Sequence, residues 1–169
     1  MSSPTLTIAG EEEPIIIGYE AVAAYHGQSA LAMLAITFQA LRAILPVLSP
    51  DGPPPRAALS ITSGHPGPGV RDAFEFVTRA VTRNAYVVDR SLPDARLNPQ
   101  ADISYSFVVS LGERRVRASL KEDVLPQRFF ELLAIKEKTD AERAEFSQLK
   151  RAIAARVLAQ EPVSLFVLS

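Results

Sequence analysis

The chain holds two histidines and no cysteine. His26 and His65 are therefore the imidazoles with which it could ligate a transition metal or move protons near neutrality. His65 lies in the stretch Ser63-Gly64-His65-Pro66-Gly67-Pro68-Gly69-Val70-Arg71-Asp72. An apolar run from Ala57 to Thr62 feeds this loop, and a helical pattern from Val70 to about Arg83 leaves it. Glycines 64, 67 and 69 and prolines 66 and 68 give a backbone that turns sharply and lets a ligand approach closely. Such a loop delivers a helix N-terminus, whose unpaired N–H groups and positive dipole end suit an anion. Arg71 would add a guanidinium fork for carboxylate or phosphate.

Each feature has two readings. In the first, His26 and His65 converge with Asp72 or Gln28 on a divalent ion such as Zn²⁺ or Ni²⁺ with open positions. In the second, each is a hydrogen-bonded histidine near a helix end. The glycine loop is either an anion pocket built on Gly67, Gly69, Arg71 and Asp72, or a strand-to-helix turn in which Asp72 complements the dipole. Glu75, one turn beyond Arg71, is its expected i, i+4 partner.

Several chemistries are excluded or disfavoured. Without cysteine there are no disulfides, thiolate metal sites or cysteine nucleophiles. Gly67-Pro68-Gly69 supplies the first two glycines of a dinucleotide fingerprint, but Asp72 stands where the third belongs. No Gly-Lys-Ser/Thr comes after them, as a P-loop requires, and Ser63 lies in no Gly-x-Ser-x-Gly elbow. A net charge of −1 makes no electrostatic case for nucleic acid. Arg114, Arg115 and Arg117 lack the aromatic display that base stacking uses, and read as a solvated or dimer-edge face. Between Glu20 and Arg42 nothing carries a permanent charge over about a bilayer's length, yet His26, Gly27, Gln28, Ser29, Thr37 and Gln39 interrupt the stretch. It reads as a buried helix, and the start of the chain has no signal-peptide pattern, so the cytoplasm is the expected compartment.

Periodicity gives the elements that would position these residues. Residues 1–14 read as a loose leader with Thr5–Ile8 a short edge strand, and 15–169 as one domain. A helix is expected from Ile15 to His26, then another from Gln28 or Ser29, capped by Ser29 and stopped by Pro46. Its stripe is Leu31, Leu34, Phe38, Leu41 and Leu45. Tyr86–Val88 reads as a strand. Ile103, Tyr105, Phe107, Val109 and Leu111 alternate with mostly polar neighbours, turn at Gly112-Glu113, and return through Val116, Ala118 and Leu120 as a hairpin. Pro126–Lys136 reads as a helix, Thr139–Glu142 as a capping box for the next, and Val163–Leu168 as an apolar tail. Together these predict an α+β domain, one small mixed sheet covered by helices.

The residues also resemble a family. Tyr25-His26-Gly27-Gln28, leading into an alanine- and leucine-rich helix, is similar to the His-Gly-His-x-Cys-Pro-Gly opening of the FmdE family of formylmethanofuran dehydrogenase components. Asp72-Ala73-Phe74-Glu75-Phe76-Val77-Thr78 resembles that family's Asp-Ala-Ile-Gln-x-Val-Thr helix. The hairpin Tyr105–Val109 through Val116–Ser119 resembles its sheet, and Leu165-Phe166-Val167 the end of its core domain. The resemblance implies a helix-strand-helix-three-strand domain, often a homodimer, with a metal-binding cleft between the two motif regions. Position by position, His26 matches the first histidine and Asp72 the aspartate. Gln28 stands at the second histidine, Ala30 at the first-motif cysteine and Gly69 at the later cysteine. These departures put cysteine-based metal or redox chemistry out of reach. The resemblance leaves a domain holding a metal or a small anionic ligand between His26-Gly27-Gln28 and Ser63–Asp72. A metal-dependent enzyme acting on a carbonyl or one-carbon substrate, and a scaffold with a decayed site, are its alternatives.

Overall fold

A computed structural model describes residues 2–169. It opens on an antiparallel hairpin, β1 (Thr5–Ala9) with β2 (Pro14–Gly18), in which Leu6 faces Ile17 and Ile8 faces Ile15. The expected strand over Thr5–Ile8 forms, but with Leu6, Ile8 and Ile17 buried it packs into the core rather than lying loose. Its alternating residues belong to the core. Ile15-Ile16-Ile17, expected to start a helix, extend this hairpin instead, because β-branched side chains suit a pleated surface better than a helix.

α1 (Tyr19–His26) stops at Gly27, whose φ of +96° is the left-handed conformation that only glycine adopts freely. Gln28 and Ala30 then also take positive φ, +61° and +52°, a strained backbone for residues with a Cβ. Ala30, not Ser29, therefore stands before α2 (Leu31–Leu48), and no side chain caps that helix. Pro46 lies inside its last turn rather than ending it. So near the C-terminus, its missing N–H frees only the carbonyl of Arg42.

The second sheet runs β4-β3-β5-β6-β7. β3 (Leu59–Ser63) lies parallel to β4 (Tyr86–Val88) through the crossover helix α3 (Pro68–Thr78), and antiparallel to β5 (Ser106–Leu111). β5 pairs with β6 (Arg114–Leu120), and Gly112 at the turn has φ +61°, as its place at the head of a two-residue loop predicts. The apolar tail becomes β7 (Phe166–Leu168) on β6. The hairpin is shorter than its alternating pattern, because Ser104 turns aside and donates its N–H to Gly64 O. α3 ends at Thr78, five residues early, where Arg79 takes φ +56°. α4 (Gln127–Ala134) and α5 (Asp140–Leu158) complete the α+β fold. α5 carries the expected capping box, with Thr139 and Glu142 bonding each other's backbone N–H.

α2 forms the centre of the molecule, packed by α3, α5 and the β5–β6 face. Leu34, Ile36, Phe38, Leu41 and Ile44 are wholly enclosed, and buried Gln39 donates to Val157 O and Gln160 O at the end of α5. Among the described residues α2 is the one helix long and apolar enough to cross a membrane. Burial of 78% of its residues inside the fold accounts for that apolarity.

A candidate ligand cleft at the head of the crossover helix

The glycine loop does deliver a helix start. Gly67 is the N-cap of α3, Pro68 comes next with its φ preset, and no side chain caps the helix. Pro68 has no N–H, and Gly67 N–H donates to His65 Nδ1 at 2.9 Å. Among the described residues the first-turn N–H groups left without a partner belong to Gly69 and Val70, both buried residues.

These residues form one wall of a cavity of about 680 Å³. Met33 of α2, Ile103, and Phe129 and Leu133 of α4 make its apolar walls. Asn98 and Gln100 bring amides, and Arg90 and Lys136 are the charged residues on the lining. No carboxylate lines it. The arrangement offers an apolar body an apolar surface and an anionic group two cations and a helix start.

His65 is fixed by three neighbours. Its Nδ1 accepts from Gly67 N–H, which leaves the proton on Nε2, and its ring meets the Tyr105 ring edge-on at 4.9 Å between centroids. Ser63 Oγ donates to the His65 carbonyl at 2.8 Å and accepts the His65 N–H at 3.1 Å. Burial pushes the His65 pKa down to about 4, so the imidazole is neutral at physiological pH.

His26 is held in the complementary way. Its Nδ1–H donates to Asp72 Oδ2 at 2.8 Å, with the side chains 10% and 27% exposed. Nε2 is then the nitrogen with the free lone pair. A Cβ on Gly69 would lie 3.8 Å from that nitrogen and 2.9 Å from the Cβ of Ala30. The end of α1, the strained link into α2 and the first turns of α3 thus meet at Gly69. Glycine is required there because any side chain would strike Ala30.

The structure therefore brings His26, Asp72, Ala30 and Gly69 together, and separately places His65, Gly67 and Gly69 on the cavity wall. Gln28 is exposed on the strained link, and Arg71 is exposed with no side-chain hydrogen bond or ion pair among the described residues. Neither lines the cavity. Glu75, expected to pair with Arg71, instead accepts from Thr82, whose N–H is 3.1 Å away. The second cleft wall is not His26-Gly27-Gln28 but α4 and the 98–103 segment, which sequence reasoning missed. Phe129, Leu133 and Lys136 recur at helical spacing of three to four, a pattern that also describes core packing.

The chain matches no family model and no curated protein. Among the described residues no three His, Asp or Glu side chains gather at metal-ligand spacing. Ala30 and Gly69 contribute no donor atoms.

Proposed function

We propose that this chain is a ligand-binding domain resembling the FmdE family, and that the cavity at the head of α3 takes a small ligand with an apolar body and an anionic group. One observation carries the proposal. A cavity of about 680 Å³ with apolar walls has only cations, Arg90 and Lys136, as its charged lining, beside two uncapped helix N–H groups. Apolar burial supplies affinity, while the cations and N–H groups orient the charge. The resemblance gains support from Ala30 and Gly69, which abut beside His26 and Asp72, where it sets two family cysteines beside a histidine and an aspartate.

The test is calorimetric titration with octanoate, octanol and acetate at fixed ionic strength. Octanoate has both parts, octanol lacks the charge and acetate lacks the body. Octanoate is expected to bind more tightly than either, and Lys136→Ala to weaken it about fivefold, the scale of one solvated charge pair. Equal binding of octanoate and octanol contradicts the anion part of the proposal, and no binding of octanoate contradicts the whole.

A second reading, a divalent cation on His26, is favoured by one contact. Asp72 holds Nδ1–H as carboxylates hold the imidazoles of metal ligands, and so presents Nε2. Elemental analysis of untagged wild type against His26→Ala tests it: near-stoichiometric metal lost in the variant supports it, and metal-free wild type sinks it. A homodimer in the cytoplasm is the setting we propose. Val87 and Val88 on β4 and Val167 on β7 are exposed on the two edge strands of the larger sheet, and sedimentation equilibrium reads the dimer directly.

A further inference from the structure

The opposite end of α3 holds a second cavity, of about 480 Å³, between the β1–β2 turn, the 3-10 turn Arg56–Ala58 and the helix terminus. Arg56, Arg79 and Arg83 all line it. Two of them have evident structural duties. Arg56 donates through Nε to Val77 O at 3.0 Å and through Nη2 to Phe76 O at 2.6 Å, satisfying carbonyls that a helix end leaves open. Arg83 donates to Ala57 O, Leu59 O and Thr78 O, at 3.0, 2.7 and 3.0 Å.

Those bonds do not explain the whole cluster. Among the described residues none of the three arginines is in an ion pair. Arg83 Nε is buried with no acceptor. Among the described residues Arg56 Nη1 and the exposed Arg79 guanidinium make no hydrogen bond. Burial, together with Arg79 and Arg83, holds the Arg56 pKa below its ordinary value, while Glu75 opposes the shift. Glu75 itself is occupied by Thr82. Glu11, at the β1–β2 turn, is the one carboxylate on the lining. Three cations on the lining face one lining carboxylate, and Glu75 acts on Arg56 from outside it, which leaves the hollow net positive.

We propose that this cavity binds a doubly charged oxyanion, a phosphate or phosphomonoester group, between Arg79 and Arg56 Nη1. Planar guanidinium forks match tetrahedral oxyanions and give short, charge-assisted hydrogen bonds. An oxyanion offsets that positive charge. The two carbonyl-anchored arginines hold the site's shape in advance, so ordering costs fall mainly on Arg79. This site is independent of the cleft at the head of the helix.

The test is titration of the full chain with inorganic phosphate and with phenyl phosphate, by calorimetry and ³¹P NMR, at ionic strength fixed with chloride. Arg79→Gly is the main variant, because glycine suits the positive φ at position 79 and no carbonyl loses a donor. Glu11→Gln is the second, removing the competing carboxylate. Saturable binding in the wild type, weakened about tenfold in Arg79→Gly and tightened in Glu11→Gln, is the expected result. Tighter binding of phenyl phosphate would assign an esterified ligand, and equal binding the free ion. No saturable binding would overturn the proposal. So would binding kept in Arg79→Gly and lost in Lys136→Ala, which would put the anion in the other cleft.

Discussion

α3 ends in two different ways, and the contrast separates a bare helix end from a covered one. At its head the backbone is left bare: Gly67, Pro68 and Gly69 supply no capping side chain, and two N–H groups stay open beside an apolar cavity. At its foot the backbone is covered: Arg56 and Arg83 take the carbonyls of Phe76, Val77 and Thr78. The head has cations that are exposed and free of carbonyl anchors on α3, Arg90 and Lys136, set across a wide cleft. The foot has cations that are part of the frame. The end that borders the proposed ligand cleft is left uncapped, and the end that holds its neighbours is capped from outside.

The largest expected effect is at the foot. Arg83→Ala removes donors from several carbonyls at once and is expected to destabilise the fold by about 4 kcal/mol in chemical denaturation, whereas Arg79→Gly should change stability by under about 1 kcal/mol. Equal effects of the two would erase the distinction between frame and free arginine. Next comes pH at the head. Burial holds the folded pKa of His65 near 4, below its unfolded value, so the unfolded chain takes up the proton first. The stability contributed by neutral His65 is complete above about pH 6.5 and is lost as pH falls toward 4, about 3 kcal/mol in all. His65→Gln should flatten that part of the stability–pH curve, and an unchanged curve would contradict the assignment.

A smaller effect tests the contact at Gly69. Gly69→Ala is expected to cost about 2 kcal/mol by forcing a methyl onto Ala30. Ala30→Gly relieves a positive φ and should stabilise by about 1 kcal/mol. In the double variant the Gly69→Ala penalty should largely vanish, and simple additivity would show that the two residues do not touch. The smallest effect is Asp72→Asn, expected to cost about 1 kcal/mol through the bond to His26.

Much of this architecture was legible in local pattern. The β5–β6 hairpin, the capping box at Thr139 and the stop at Gly27 each rest on a few adjacent residues, and each forms as its sequence predicts. Structure departs from local pattern where distant packing decides. Ile15-Ile16-Ile17 suits a helix by its apolar continuity with α1, but pairs with β1 because Leu6 and Ile8 need a partner face. Ser29 is a good cap by type, yet the backbone turns at Ala30 instead. The candidate site shows the same division. The loop around His65 was readable from its glycines and prolines. The cleft's other wall was not, because Phe129, Leu133 and Lys136 lie far along the chain and look like any amphipathic helix. The arginines at the foot were equally hidden, since Arg56, Arg79 and Arg83 become one cluster only when β3 and α3 pack.

The chain contains no tryptophan, which makes the cleft directly observable. Leu133, 41% exposed on its wall, can be replaced by a single tryptophan with little risk to the core. Octanoate titrated into Leu133→Trp is expected to shift the emission to the blue with saturation, octanol to do so only at higher concentration, and Lys136→Ala in that background to weaken octanoate selectively. An emission spectrum unmoved by octanoate, with the variant folded, would contradict the claim that the uncapped head of α3 is a ligand site.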